Sequence, residues 1–216
     1  MHTNAPTSIS ASTSPEVLKV LRNTYTLLAM TITFSAVMAA VSMALNVPYL
    51  GLWMLIPYFI CLFAVTKTQN SAAGLFWVFA LTGWLGFTLG PILNFYISMS
   101  GYEPVFLALG GTAFIFFSLS AFILITRKDL SGMTGFLMTG IIVAFIAAIA
   151  NLFLQISSLH LVISCVFLLL SSGLIMWQTS QIVHGGETNY ISATVTLFVM
   201  LYNIFTILLS FLGGEE

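Results

Sequence analysis

The sequence predicts an all-α integral membrane protein with seven transmembrane helices. Of its 216 residues, 59% are hydrophobic and only 5% are charged, and the mean hydropathy is +1.08. A soluble domain of this size needs a polar surface around its core, and so few charges cannot provide one. We therefore expect the lipid bilayer to be the solvent for most of the chain.

The charged residues mark where the chain leaves the membrane. A span needs about 20 apolar residues, and a charge at the bilayer centre costs roughly 2.5 to 3.5 kcal/mol. Two charge-free runs, 23–66 and 130–186, contain 44 and 57 residues, so each must hold two spans. Turn signals at Pro48 and at Gln155 divide these runs. The seven predicted spans are 24–45, 48–66, 72–97, 104–126, 132–153, 159–181 and 190–212.

The first 15 residues predict a disordered cytoplasmic tail ahead of a membrane domain at 16–216. They contain seven Ser or Thr, two Pro and no apolar periodicity. Ser14 is suited to cap the first helix, with Pro15 at the first helical position. A cleaved signal peptide is the rival interpretation of the first apolar run, but that run is longer than usual for one.

All five Lys and Arg fall on alternate loops of the seven-span topology. With the N-terminus inside the cell, every one of them is cytoplasmic, as the positive-inside rule requires. The sequence therefore predicts a cytoplasmic N-terminus and a C-terminus outside.

Signatures of catalysis and of metal binding are absent from the sequence. We find no phosphate-binding glycine loop, no HExxH, no CxxC and no GxSxG. Cys61 and Cys165 fall in predicted spans, where a thiol is usually an apolar packing group. We expect no enzyme activity, no cofactor, no metal site and no nucleic-acid partner.

Small residues form one face of the third predicted span. Gly83, Gly86 and Gly90 recur at spacings of three and four, a pattern that lets helices approach closely in lipid. Pro91 follows directly and is expected to kink or break the helix.

Several segments of the sequence, in register, resemble one known family. Gly86, Gly90 and Pro91 lie in GFTLGPIL, and Gly110, Gly111 and Thr112 lie in ALGGTAFIF. Together with 20–25, 126–129, 150–155 and 184–191, these segments resemble the Bax inhibitor family of seven-helix membrane proteins. The resemblance is strongest to its bacterial YccA branch, and it covers nearly the whole chain from Pro15.

The resemblance implies two functions of different classes in the bacterial inner membrane. The YccA branch is associated with the membrane-anchored AAA protease FtsH, as a substrate-like modulator that restrains it. The wider family is regarded as calcium-leak channels gated by two membrane-embedded aspartates. Alignment on the family places those positions at Gln178 and Met200, and neither side chain titrates. The resemblance therefore favours the modulator, with a calcium leak lacking the usual pH gate as the alternative.

The remaining polar residues allow either a hydrated pathway or ordinary helix packing. Asn94, Gln178, Gln181 and Asn203 fall within predicted spans, where polar groups usually face the interior of the bundle. Each of them could equally make one interhelical hydrogen bond, and the partner of Gln178 could be Asn203 or a backbone carbonyl.

The predicted cytoplasmic loops hold the other candidate residues, Lys67, His184 and Glu187. Lys67 is the best candidate for a basic partner to the sixth helix. The segment HGGETNY at 184–190 predicts a solvated turn, in which two glycines end one helix and Thr188 or Asn189 caps the next. In the alternative, His184 and Glu187 act at a protein surface or at the cytoplasmic mouth of a leak.

Overall fold

Seven helices long and apolar enough to cross a membrane are present in the computed structural model, which describes residues 14–49 and 51–214. Short 3-10 turns at Gly51–Met54 and Ser131–Met133 precede the second and fifth helices. The helices are α1 (Pro15–Ala44), α2 (Leu55–Thr68), α3 (Ala72–Ser100), α4 (Glu103–Thr126), α5 (Thr134–Leu154), α6 (Ser157–Val183) and α7 (Tyr190–Gly213). The predicted all-helical architecture with seven such helices is thus confirmed for this part of the chain, whereas the orientation of the termini stays a prediction.

The first helix begins where its sequence predicts. The side chain of Ser14 accepts a hydrogen bond from the amide of Val17 at 3.3 Å, and Pro15 takes the first helical position. This cap satisfies one of the amides that a helix N-terminus leaves without a partner. The structure does not describe residues 1–13, which make up most of the disordered tail predicted for 1–15. The tail therefore stays a prediction.

The second helix begins later than predicted. The sequence favours a start at Pro48, but α2 begins at Leu55 after the 3-10 turn. A helix that began at Pro48 would carry Pro57 in its interior, where proline removes a backbone hydrogen bond and clashes with the preceding turn. The observed start places Pro57 in the first turn, where its missing amide costs nothing.

The predicted break at Pro91 is wrong. The third helix runs from Ala72 to Ser100 through Pro91, which is buried. Transmembrane helices tolerate proline because neighbouring helices stabilise the chain around the missing hydrogen bond. Here that neighbour is α1, which packs more extensively against α3 than any other pair of helices in the described chain.

The seventh helix lies at the centre of the bundle. It contacts α1, α3, α4 and α6, and it contributes Leu197 and Ile204, both fully buried, to the main apolar core. The fifth helix is peripheral and packs on α6 through Leu137 and Ala144. Outside this core, large apolar side chains such as Phe153 (84% exposed) cover the surface, as expected for a surface that faces lipid.

Candidate functional site at the basic end of the bundle

The loop between α6 and α7 begins with a compact helix stop. Helix α6 ends at Val183, and Gly185 adopts a left-handed φ of +74°. The amide of Gly185 donates to the carbonyl of Ile182 at 3.2 Å, and the amide of Gly186 donates to that of Gln181 at 2.8 Å. This pair of bonds is a Schellman motif, which explains the two adjacent glycines.

The same loop ends with a cap on α7. Of the two predicted caps, Asn189 is the one used: its Oδ1 accepts from the amides of Ile191 at 2.9 Å and Ser192 at 3.2 Å. Glu187 supports it, since its Oε1 accepts from the amide of Asn189 at 2.8 Å and its Oε2 accepts from the hydroxyl of Ser192 at 3.0 Å. Both carboxylate oxygens are therefore engaged in holding the helix start.

Asn189 also joins this loop to the turn between α2 and α3. Its Nδ2 donates to the carbonyl of Gln69 at 3.0 Å and to Oδ1 of Asn70 at 2.8 Å. In the same turn region, Lys67 is exposed, and its Nζ lies 5.4 Å from the centre of the Phe63 ring. The structure thus pairs Lys67 with an aromatic ring on its own helix and not with α6.

A buried serine ties the loop between α4 and α5 to the end of α6. The hydroxyl of Ser180 donates to the carbonyl of Lys128 at 3.0 Å and accepts from the buried amide of Leu130 at 3.0 Å. One turn later, Nδ1 of His184 lies 2.9 Å from the carbonyl of Ser180, to which it donates. Sequence reasoning missed Ser180, because a serine near the end of an apolar span carries no distinctive signal.

The Asp129 carboxyl, in the loop between α4 and α5, has a displaced pKa. The amide of Ser131 donates to its Oδ1 at 2.8 Å. Hydrogen bonds from Ser131 lower the pKa of the Asp129 carboxyl from its ordinary value, and the nearby His184 contributes in the same direction. The three loops of this end are therefore held by helix caps and turns, by the bonds from Asn189 to the turn between α2 and α3, and by the bonds of Ser180 to the loop between α4 and α5.

Gln178 and Met200 differ sharply in their surroundings. Gln178 is 2% exposed, and its Nε2 has no hydrogen-bond partner in the described part of the chain. Of the alternatives for Gln178, a bond from this nitrogen to Asn203 or to a carbonyl is therefore not made. Met200 is half-buried and packs against the cluster of α5 and α6 that contains Leu174. Gln178 is thus a buried donor, whereas Met200 is an apolar packing group.

The other residues of the predicted polar pathway make local contacts. Nδ2 of Asn94 donates to the carbonyl of Met43 at 3.2 Å, near the opposite end of the bundle from Gln181. Gln181 holds the loop after α6 through its carbonyl. Asn203 is half-buried, and its carbonyl accepts from the hydroxyl of Thr206 at 3.1 Å. The pathway stays a prediction, and at least Asn94 serves in helix packing.

The glycines of the predicted signature have unequal surroundings. Gly86 and Gly90 of α3 lie directly against Ser35 and Ser42 of α1. Gly110 of α4 has open space around it, since a Cβ atom there would meet nothing within 4 Å. Two further members are in contact with their neighbours: at Gly111 a Cβ atom would lie 3.1 Å from Leu208, and the hydroxyl of Thr112 donates to the carbonyl of Ala108 at 2.7 Å.

The fold and these helix ends define a seven-helix integral membrane protein. The chain belongs to the Bax inhibitor family, since the family model described as "Inhibitor of apoptosis-promoting Bax1" matches residues 17–216. It is 54% identical over 196 residues to the "Modulator of FtsH protease YccA" of Escherichia coli, covering 90% of each chain. It matches the "Inner membrane protein YccA" of another Escherichia coli strain equally well.

A further relative comes from Pseudomonas aeruginosa. That uncharacterised protein is 49% identical over 200 residues, which cover 92% of this chain and 90% of the relative. The predicted resemblance to the YccA branch is confirmed, and so is the localisation: the chain is a multi-pass inner-membrane protein.

Proposed function

We propose that this protein modulates the membrane-anchored AAA protease FtsH by acting as a substrate-like inhibitor. The observation that carries the proposal is its 54% identity, over 90% of both chains, to a protein named as a modulator of that protease. The similarity extends over nearly the whole bundle, which supports a function that the two complete folds have in common.

The distribution of charge supports an N-terminus on the cytoplasmic side. Lys19 and Arg22 lie at the start of α1, Lys67 at the end of α2, and Arg127 and Lys128 directly after α4. In a bundle of seven antiparallel spans these positions share one end, and the positive-inside rule assigns that end to the cytoplasm. The first 13 residues then lie on the cytoplasmic side, where such a protease engages a flexible chain end.

The packing of α1 supports resistance to extraction. A protease that pulls on the N-terminus must first remove α1 from the bundle. This helix packs against α3, α6 and α7, and its Ser35 and Ser42 contact glycines of α3 so closely that no side chain fits between them. Small residues let helices approach closely, and the resulting van der Waals contact is one of the forces that hold helices together in lipid. A bound but unextracted chain would occupy the protease and restrain it.

Deletion of residues 3–14 tests the role of the tail. We expect the full-length protein to copurify with FtsH and the deletion variant to lose this association, while its helical content is unchanged. A matched control replaces the same residues with a Gly/Ser segment of equal length, which provides a flexible end and should retain binding. Unchanged association and unchanged half-life after the deletion would contradict the proposal.

The calcium leak is a second candidate, favoured by one observation. The Nε2 of Gln178 is buried and has no hydrogen-bond partner among the residues that the structure describes, so this donor would gain a partner if the bundle opened to water at that position. Purified protein in liposomes loaded with a calcium dye tests this function on both sides of neutral pH. Calcium flux no greater than that of empty vesicles would exclude the leak. Flux that depends steeply on pH would contradict our interpretation of Gln178 and Met200 as positions without a titratable gate.

A further inference from the structure

An apolar groove runs along the outside of the bundle between α1 and α4. Its cavity has a volume of about 550 Å³, and its lining is almost wholly apolar. Ala36 and Ala40 of α1 and Ala113 of α4 line it and are exposed, so the groove opens toward the bilayer. Phe198 and Leu201 of α7 contribute to its inner surface.

A second cavity continues the groove at the basic end of the bundle. It has a volume of about 620 Å³ and is lined by Lys19 and Arg22 of α1 and by Leu124 of α4. Tyr25 lines both cavities, so the two adjoin. Lys19 and Arg22 are exposed, and neither forms an ion pair with any residue that the structure describes. An apolar slot therefore leads to two unpaired cations at the membrane surface.

We propose that this composite groove binds one anionic phospholipid, with an acyl chain between α1 and α4 and the phosphate at Lys19 and Arg22. Lys and Arg are the usual ligands of phosphate, and basic residues at the membrane surface attract anionic headgroups. One phospholipid supplies both an apolar chain and a negative charge in the order that the groove requires. It is also the molecule that surrounds the groove in the bilayer. A helix of a partner protein would have to place an acidic residue at the matching depth.

Native mass spectrometry of the full-length protein tests the headgroup contact. The protein is released from detergent after titration with phosphatidylglycerol or with phosphatidylcholine that carries the same acyl chains. We expect preferential retention of phosphatidylglycerol. Each basic residue near the surface strengthens such binding about fivefold, so the double variant K19Q/R22Q should weaken it roughly 25-fold, to the level of phosphatidylcholine. The matched control K67Q/K128Q removes two cations of the same end outside the groove and should change nothing.

The acyl-chain contact has its own variant. Ala36→Phe fills the groove from an exposed position and should reduce retention of both lipids, whereas Val37→Phe, on an adjacent exposed position outside the groove, should not. The comparison is made only if the two variants have the same melting temperature, so that a loss of lipid does not reflect a loss of folding. Equal retention of the two lipids by the wild type would overturn the proposal, as would equal losses in the two charge variants. Displacement of the lipid by inorganic phosphate, or crosslinking from residue 40 that captures a protein helix instead of lipid, would also overturn it.

Discussion

Gly86 of α3 lies directly against Ser35 of α1, with no room for a side chain between the two helices. A Cβ atom at residue 86 would come 2.6 Å from the hydroxyl oxygen of Ser35 and 2.8 Å from its carbonyl carbon. Real Cβ atoms do not approach backbone atoms so closely, so an added methyl group would push α1 away from α3. Gly90 lies against Ser42 in the same way one turn further along. These two contacts set the distance between α1 and α3.

Gly86→Ala should therefore destabilise the bundle by about 1–3 kcal/mol, the usual cost of overpacking a close contact. The measurement is the free energy of unfolding in mixed detergent micelles. Gly110→Ala is the matched control, because the space around Gly110 is open and alanine favours a helix by up to about 1 kcal/mol. Equal losses in the two variants would show that the position against Ser35 is not special.

Asn189→Ala should loosen the start of α7 and its attachment to the turn between α2 and α3. The variant loses both the cap on Ile191 and Ser192 and the bonds to Gln69 and Asn70. Loss of the cap alone costs about 0.5–2 kcal/mol. We expect faster hydrogen exchange at the amides of Ile191 and Ser192. Thr188→Ala, an adjacent change at an exposed position, is the control, and equally fast exchange in both variants would contradict the assignment of Asn189 as the cap.

The loop between α4 and α5 should lose one of its contacts in acid. The pKa of Asp129 is lowered from its ordinary value of 3.8, mainly by the hydrogen bonds from Ser131. A lowered pKa means that the ionised carboxylate is favoured by the fold, so its contribution is complete above the ordinary value and is lost as pH falls through the lowered one. The amide proton shift of Ser131 should titrate below pH 3.8. In Asp129→Asn this titration should disappear, and its persistence would assign it to another group.

Gln178→Leu should leave the bundle as stable as before or raise its free energy of unfolding by about 1 kcal/mol. A buried donor without a partner costs about 1–3 kcal/mol, and leucine removes it. Ser180→Ala is the contrasting variant, because it removes a hydroxyl that does have hydrogen-bond partners. It leaves the buried amide of Leu130 without its acceptor. That variant should lose about 1–3 kcal/mol. Destabilisation by Gln178→Leu would mean that the amide has a partner within the bundle, such as ordered water.

Features encoded by neighbouring residues could be predicted from the sequence. The seven helices follow from the length of the apolar runs, and the cap at Ser14 follows from its own residue type and the proline after it. The end of α5 at Leu154, where Gln155 takes a left-handed φ of +51°, agrees with the predicted turn. The two glycines after α6 likewise signal a helix stop whose hydrogen bonds are entirely local.

Two kinds of feature could not be predicted. One is a helix start for which two positions are equally suitable, and the other is a contact between residues that are distant in sequence. Pro48 and Pro57 are both suited to the first turn of a helix, and the sequence does not show which of them takes that place in α2. The structure places Pro57 there. Helix α3 continues through Pro91 where it packs against α1, and that neighbour is distant in sequence. Ser180 and Leu130 are 50 residues apart, and Asn189 and Gln69 are 120 apart. Their bonds appear only when the loops of one end are brought together.

We propose that close packing of α1 on α3 makes this substrate-like chain an inhibitor of FtsH. The most direct test is the half-life of the wild-type protein, Gly86→Leu and Gly110→Leu in cells with and without FtsH. Our account predicts that Gly86→Leu is degraded much faster than the wild type only where FtsH is present, and that Gly110→Leu behaves like the wild type. Equal half-lives of all three proteins in cells with FtsH, or equally rapid loss of Gly86→Leu in cells without it, would contradict the claim.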